Sequence, residues 1–450
     1  MTRSTPTTLA PPSGTKTAEE ALYRKITWRL LPLLFACYVA AYLDRVNISF
    51  AQLHMRTELG FDNKVYGLAA GLFFVSYFLC EVPANLYLQR AGTRRTLARI
   101  LILWGLTSSA TMFIVGPTSF YALRLLLGVF EAGLAPGVMF YLTLWYPNDR
   151  RAQVTAIFLS GGLVAGVIGA PASGLILDGM QGVLGLKGWQ WMFLLEGLPA
   201  VVIGLLVLTT LADGPQQAGW LNDAEKRMVA ADVGRESVRA LGSHEFRGIL
   251  ADGRIYLFAL TWFTLVCGLY AITFWLPVML QTAGVHGAAK IGMWAIIPYA
   301  IGAVGMVIIS YRSDQKQERR WHYLCAVAIG AGALLAASLL SSHLLAVIIL
   351  LSVATPALFG AMPIFYGIPM AYLPEGSAAG GLALINCLGL TGGFFSPFFL
   401  GWIRDQTGGL TAGLWAISGS ILAGALLLLI TSRAPVSMLA GGLPAKRHAD

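Results

Sequence analysis

The chain has 450 residues, of which 56% are hydrophobic and only 12% charged, and its mean hydropathy is +0.68. A water-soluble domain carries about 25% charged residues, so a soluble enzyme or binding module is excluded. The net charge of +9 must be read against a lipid surface, not a nucleic acid, and no nucleic-acid partner is expected.

Residues 1–21 are rich in Ser, Thr and Pro and read as a disordered tail with no cleavable signal peptide. Apolar runs follow at 28–51, 65–88, 96–116, 119–145, 152–177, 189–211, 254–280, 289–310, 322–341, 344–371, 379–402 and 410–432. Each is long enough to cross a hydrocarbon core of about 30 Å. They are numbered here as spans 1 to 12. With the N-terminus inside, 24 of the 31 Lys and Arg fall on the cytoplasmic side. Five fall outside (Arg56, Lys64, Lys187, Lys290 and Arg404), and Arg45 and Arg124 lie within spans. The positive-inside rule therefore places both termini in the cytoplasm. The five cysteines sit in five different spans without metal-ligand spacing, and read as small buried hydrophobes.

Residues 213–252 form the one long polar stretch between spans. Trp220–Asp232 has the pattern of a short amphipathic helix, with Asn222 and Glu225 at capping-box spacing. The expected organisation is a tail to 21, a six-helix bundle at 22–212, a cytoplasmic linker at 213–252, a second bundle at 253–432 and a tail at 433–450. Span 2 is followed by Gln89–Arg95 and span 8 by Asp314–Arg320, each ending in an Arg pair, and Pro171/Gly174 of span 5 match Pro397/Gly401 of span 11. Such repeats place a substrate site between the halves, near the midplane. The fold class is an all-α polytopic membrane protein of 12 transmembrane helices in two six-helix bundles.

Four charges lie at bilayer depth: Asp44 and Arg45 in span 1, Arg124 and Glu131 in span 4. Each costs about 2.5–3.5 kcal/mol at a helix centre even on lenient scales. At about 1.5 Å per residue, Arg45 and Arg124 reach similar depths from opposite ends. Glu131 lies seven residues beyond Arg124 and shares its face, while Asp44 and Arg45 point about 100° apart and meet different partners. The planar fork of Arg45 suits a substrate carboxylate. Asp44 and Glu131 are candidate proton carriers, since burial and a neighbouring Arg act on a carboxyl in opposite senses. The alternative is a fixed ion-pair network pinning span 1 to span 4. Tyr42 shares the face of Arg45. Span 7 supplies Tyr270, Phe274 and Trp275, with Pro277 beyond as a candidate loosening point. Glu81 and Glu196, near predicted span ends, are weaker candidates. Asn47–Ser49 fits a glycosylation sequon but lies inside a span.

The degenerate loop Gly92–Arg95, with Gln89 where an Asp is usual, and Arg124-x-x-x-Gly128 resemble the major facilitator superfamily. Leu43–Asn47, Arg124 to Gly133, Gly188–Trp191 and Ala383–Asn386 resemble its anion:cation symporters, most closely the tartrate, phthalate and hydroxyphenylacetate permeases of bacteria. The resemblance spans about residues 22–432. It implies a major facilitator fold and proton-coupled import of a small organic acid across a bacterial inner membrane. It also implies that Asp44 and Glu131 are protonation sites and Arg45 the anion site, with Arg124 carried over, and that Tyr77 and Asn386 contact substrate. Arg94, Arg95, Asp314, Arg319 and Arg320 would form cytoplasmic contacts favouring one conformation. Leu390 stands where these symporters have Asn, which disfavours a polyhydroxylated acid and favours a less hydroxylated or aromatic one. Gly166-x-x-Gly169-Ala170-Pro171 partly matches a pattern linked with antiporters, though helix packing explains it equally, so an organic-anion exchanger or exporter stays open. No HExxH or GxSxG is present, and His244-Glu245 lacks a second His. No enzyme activity, cofactor or metal is expected, and a monomer is.

Overall fold

The computed structural model describes residues 13–234, 251–316, 318–373 and 378–431. The first twelve residues, the linker beyond Gly234 with His244 and Glu245, the segment 432–450, and the side chains of Gln89 and Asp314 lie outside that description. Among the described residues every regular element is helical, and twelve helices or helix pairs are long and apolar enough to cross a membrane. They form the two six-helix bundles expected. Span 1 runs as one helix over Ser13–Leu59, so residues 13–21, read from sequence as part of a disordered tail, are helical.

Two spans are broken, where the apolar pattern gave continuous helices. Span 4 is Pro117–Glu131 and Leu134–Thr143, separated at Gly133 with φ +90°. A left-handed residue cannot continue a helix, and glycine adopts it without steric cost. Span 11 is Ala378–Gly389 and Gly392–Thr407. Span 7, by contrast, is unbroken over Gly253–Thr282 through Pro277. Lipid-length faces carry their apolar residues outward, as with Val202, Leu205 and Leu206 of span 6 and Val304, Val307 and Ile308 of span 8. Cys37 and Cys267 are buried, but Cys325 is exposed on such a face, correcting its assignment to the core; all five thiols are free.

Glycines decide how closely the halves approach. A Cβ on Gly67 would overlap the Pro397 carbonyl, and one on Gly401 the Asn63 carbonyl, so span 2 lies directly on span 11. Gly174 against Ala288 and Gly292 against Ala170 do the same for spans 5 and 8. Gly166 packs on the Tyr299 ring and Gly169 on Leu43. The glycine pattern of span 5 thus has a full packing explanation.

The end of the bundle opposite the termini is sealed by one device used twice. Asp178, at the end of span 5, accepts the Ala289 N–H at the start of span 8 at 2.8 Å, and its other oxygen faces His54 Nε2 at 3.6 Å. Asp405, at the end of span 11, accepts the N–H groups of Asn63 (3.2 Å) and Lys64 (2.6 Å) at the start of span 2. Each acid satisfies orphan amides at the positive end of a helix from the other half.

At the other end, the linker helix Asp223–Gly234 closes its capping box: Asn222 N–H donates to Glu225 Oε2 and Glu225 N–H to Asn222 Oδ1, both at 2.8 Å. Lys25 pairs with Glu225 at 2.9 Å, Tyr23 Oη donates to Asp232 at 3.0 Å, and Trp220 stacks on Trp145. These contacts dock the linker on the first half.

Candidate functional site: a paired arginine between the halves

Gly128 sets the geometry. A Cβ there would overlap the Phe73 carbonyl and the Ser76 hydroxyl, so span 4 presses on span 2 at Phe73. Arg124 lies one turn before Gly128 on the same helix, and Glu131 is the last residue of that helix, at the break. The guanidinium of Arg45 lies 5.4 Å from the Phe73 ring and that of Arg124 5.2 Å.

Arg45 grips Glu131. Its Nε donates to Oε1 at 3.1 Å and its Nη2 donates to the same oxygen. Glu131 is 1% exposed and Arg45 13%. The second carboxylate oxygen, Oε2, is buried and accepts nothing. Tyr42 (4.9 Å) and Tyr77 (5.7 Å) complete an aromatic collar on the guanidinium. Tyr270 of span 7 reaches the Arg45 side chain from the opposite half, and Tyr366 of span 10 lies within electrostatic range of Tyr42, Glu81 and Tyr270. Asn386 accepts a hydrogen bond from Tyr366 Oη at 2.7 Å. Arg45, Glu131, Tyr42 and Tyr77 thus form one cluster, and Asn386 approaches it from the opposite half through Tyr366.

Asp44 turns the other way, as its 100° offset required. It accepts from Trp104 Nε1 at 3.2 Å, from Ser108 Oγ, and from Asn47 Nδ2 at 3.3 Å. Trp104 and Ser108 are one turn apart on span 3, and every donor is neutral. Arg124, 3% exposed, donates Nε to the Ala69 carbonyl at 3.3 Å, and its Nη2 has no partner. So the four charges form one direct ion pair, not a closed network, and Arg124 sits apart from Glu131 although both share a face.

The motif-loop residues divide. The Arg94 backbone N–H donates to Asp213 Oδ1 at 2.8 Å, and its Nε lies 3.9 Å from Asp213 Oδ2. Asp213 therefore supplies a carboxylate at a loop where Gln89 replaces the usual Asp. Arg319 Nη1 donates to the Gly367 carbonyl of span 10 at 2.6 Å. Arg95 and Arg320 are exposed. The Arg94 contact joins the first half to the start of the linker, and that of Arg319 stays within the second half. Sequence reasoning missed Phe73, Trp104, Ser108, Tyr366 and Asp213. An i,i+4 Trp–Ser pair inside an apolar span was the available signal for two of them.

A family model described as Major Facilitator Superfamily matches residues 34–397. A Pseudomonas putida protein named "Putative metabolite transport protein NicT" is 42% identical over 92% of this chain and 94% of its own. An Agrobacterium vitis "Putative tartrate transporter" is 41% identical over 93% of each. An Acinetobacter baumannii "Quinolone resistance transporter" is 37% identical over 92% of this chain and 95% of its own. Among solved structures, a D-xylose–proton symporter superposes with TM-score 0.71 at 15% identity, over 89% of this chain and 97% of the other. At that identity the likeness shows the fold.

Proposed function

The chain belongs to the Major Facilitator Superfamily and is a multi-pass membrane transport protein, and from that premise we propose that it imports a small organic acid by proton symport. The observation that carries the reading is the buried Arg45–Glu131 pair, collared by aromatic rings where the two halves meet. A proton on Glu131 neutralises the partner of Arg45 and releases its fork for a substrate carboxylate. The open Oε2 of Glu131 is the atom that takes the proton. Asp44 is the second carrier, held ready by neutral donors that satisfy its charged form. Arg124 raises the positive potential beside the site without touching the acids. This assignment follows the anion:cation symporters, the subgroup to which we assign the chain.

With Asp44 and Glu131 ionised, the four charges cancel. With both protonated they sum to two positive charges, which a dicarboxylate neutralises. A dicarboxylate then enters with two protons and no net charge, whereas a monocarboxylate with two protons carries current. Tyr270, Phe274, Tyr366 and Leu390 make the second half's contribution aromatic and apolar, which favours aromatic or sparsely hydroxylated acids. The organism is a bacterium, the membrane its inner one, and both termini are cytoplasmic. The working unit is a monomer of two bundles, 22–212 and 253–432, rocking about the site. On this reading the Asp178 and Asp405 caps close the outer side. The relative named for quinolone resistance favours a second reading as exporter or exchanger. Uptake in proteoliposomes separates the two, and intact substrate binding by Arg45→Ala would overturn the assignment of the anion site.

A further inference from the structure

A cavity of about 90 Å³ opens at the end of the second half opposite the termini, among the ends of spans 7, 9 and 11 and the starts of spans 10 and 12. Arg404 of span 11 is the one charged residue lining it. Its Nη1 is buried and donates to nothing among the described residues, and its guanidinium lies 5.9 Å from the Trp275 ring. The adjacent acid is turned elsewhere: Asp405 spends one carboxylate oxygen on the Asn63 N–H at 3.2 Å and the other on the Lys64 N–H at 2.6 Å. Arg56 of span 1 lies within electrostatic range of Arg404 and adds a second positive charge. Thr282, Ser338 and Thr411 donate their hydroxyl hydrogens to the Val278, Leu335 and Ser338 carbonyls. Ser341 also lines the cavity, and among the described residues its hydroxyl makes no such bond. Span 12 begins at Thr411, which brings the positive end of a 21-residue helix to the same cavity.

A guanidinium with an unspent N–H, a hydroxyl and a helix N-terminus are all donors, and the acceptor they suit is an anion. Size restricts which anion. The space has room for about three waters, whereas a cavity that takes a benzene ring is nearer to about 150 Å³. We infer that this cavity binds a small anion, a halide or a one- or two-carbon carboxylate, held by Arg404 and separate from the Arg45–Glu131 pair. Occupancy also bears on the seal between the halves. Arg404 lies within electrostatic range of Asp405, so an uncompensated Arg404 draws that carboxylate away from the amides of span 2. An anion beside Arg404 supplies the negative charge instead and leaves Asp405 on Asn63 and Lys64. The bound anion therefore favours closure of this end of the bundle.

The test is hydrogen–deuterium exchange of the full chain in lipid nanodiscs, read by mass spectrometry at the segment holding the Asn63 and Lys64 amides. Chloride, and in a second series acetate, replaces gluconate at constant ionic strength; gluconate is too large for the cavity. In wild type, chloride or acetate should slow exchange there saturably, by about tenfold, and whichever does so names the occupant as halide or carboxylate. Exchange indifferent to both anions would overturn the proposal. Arg404→Gln removes the charge, and its exchange should be the same in all three anions. Ser341→Leu fills the cavity while every charge stays in place, and should abolish the response as well, which keeps the test decisive where the Arg404 variant does not fold. A saturable response that survives in either variant would place the anion elsewhere and overturn the assignment. This readout does not depend on what the protein transports.

Discussion

The two halves meet the Arg45–Glu131 pair with different chemistry. The first half contributes Arg45, Glu131 and Glu81 with a collar of Tyr42, Phe73 and Tyr77. The second half contributes Tyr270, Tyr366 and Asn386, none of them charged. The difference separates two tasks. A buried charge must be balanced by groups held rigidly with it, so the ionic machinery sits in one bundle. On the proposed reading, a wall of rings and one amide would select by shape and by a few hydrogen bonds, and could change without disturbing that balance.

Substitutions on the two walls should therefore fail differently. Arg45→Ala removes the fork and leaves Glu131 unpaired in the interior. About 3 kcal/mol of substrate affinity, roughly a hundredfold, should be lost in equilibrium binding. Glu131→Gln mimics the protonated acid. It should keep exchange of labelled for unlabelled substrate while abolishing accumulation under a proton gradient. Gly128→Ala breaks the approach of span 4 to Phe73 and should cost about 1–3 kcal/mol by overpacking, read as a lower midpoint in thermal unfolding in detergent. On the second wall, Leu390→Asn should change selectivity without touching coupling, shifting the preference between tartrate and 4-hydroxyphenylacetate about tenfold toward tartrate. The smallest effect belongs to the linker. Asn222→Ala should destabilise its helix by about 1 kcal/mol, seen as faster amide exchange there. Glu225 is held below its ordinary pKa, first by the Asn222 N–H and then by Lys25. Its contribution is present above the ordinary carboxyl range and fades as pH falls through the lowered value.

The fold was legible because lipid imposes a single rule: backbone groups must be satisfied within each apolar run. Run length, charge asymmetry and the repeated Arg pairs and Pro–Gly steps were enough. The breaks in spans 4 and 11 were not legible, since their apolar pattern continues across Gly133 and Leu390. The Asp44–Arg45 split followed from helical rotation alone. That Arg45 would pair with Glu131 while Arg124 would not depends on Gly128 and the Phe73 ring, a contact between helices that no single-helix pattern contains. Asn47 offered only a misleading sequon, and Glu196 looked like a helix-end acid. Its depth is set by span 3 packing on span 6 through Gly105 and Gly197.

The most direct test is uptake of labelled tartrate, phthalate and 4-hydroxyphenylacetate into proteoliposomes, with and without an inward proton gradient, for wild type and Glu131→Gln. The account predicts gradient-dependent accumulation of an organic acid by wild type and equilibration without accumulation by the variant. Uptake that ignores the gradient, or a variant that still accumulates substrate, would contradict it.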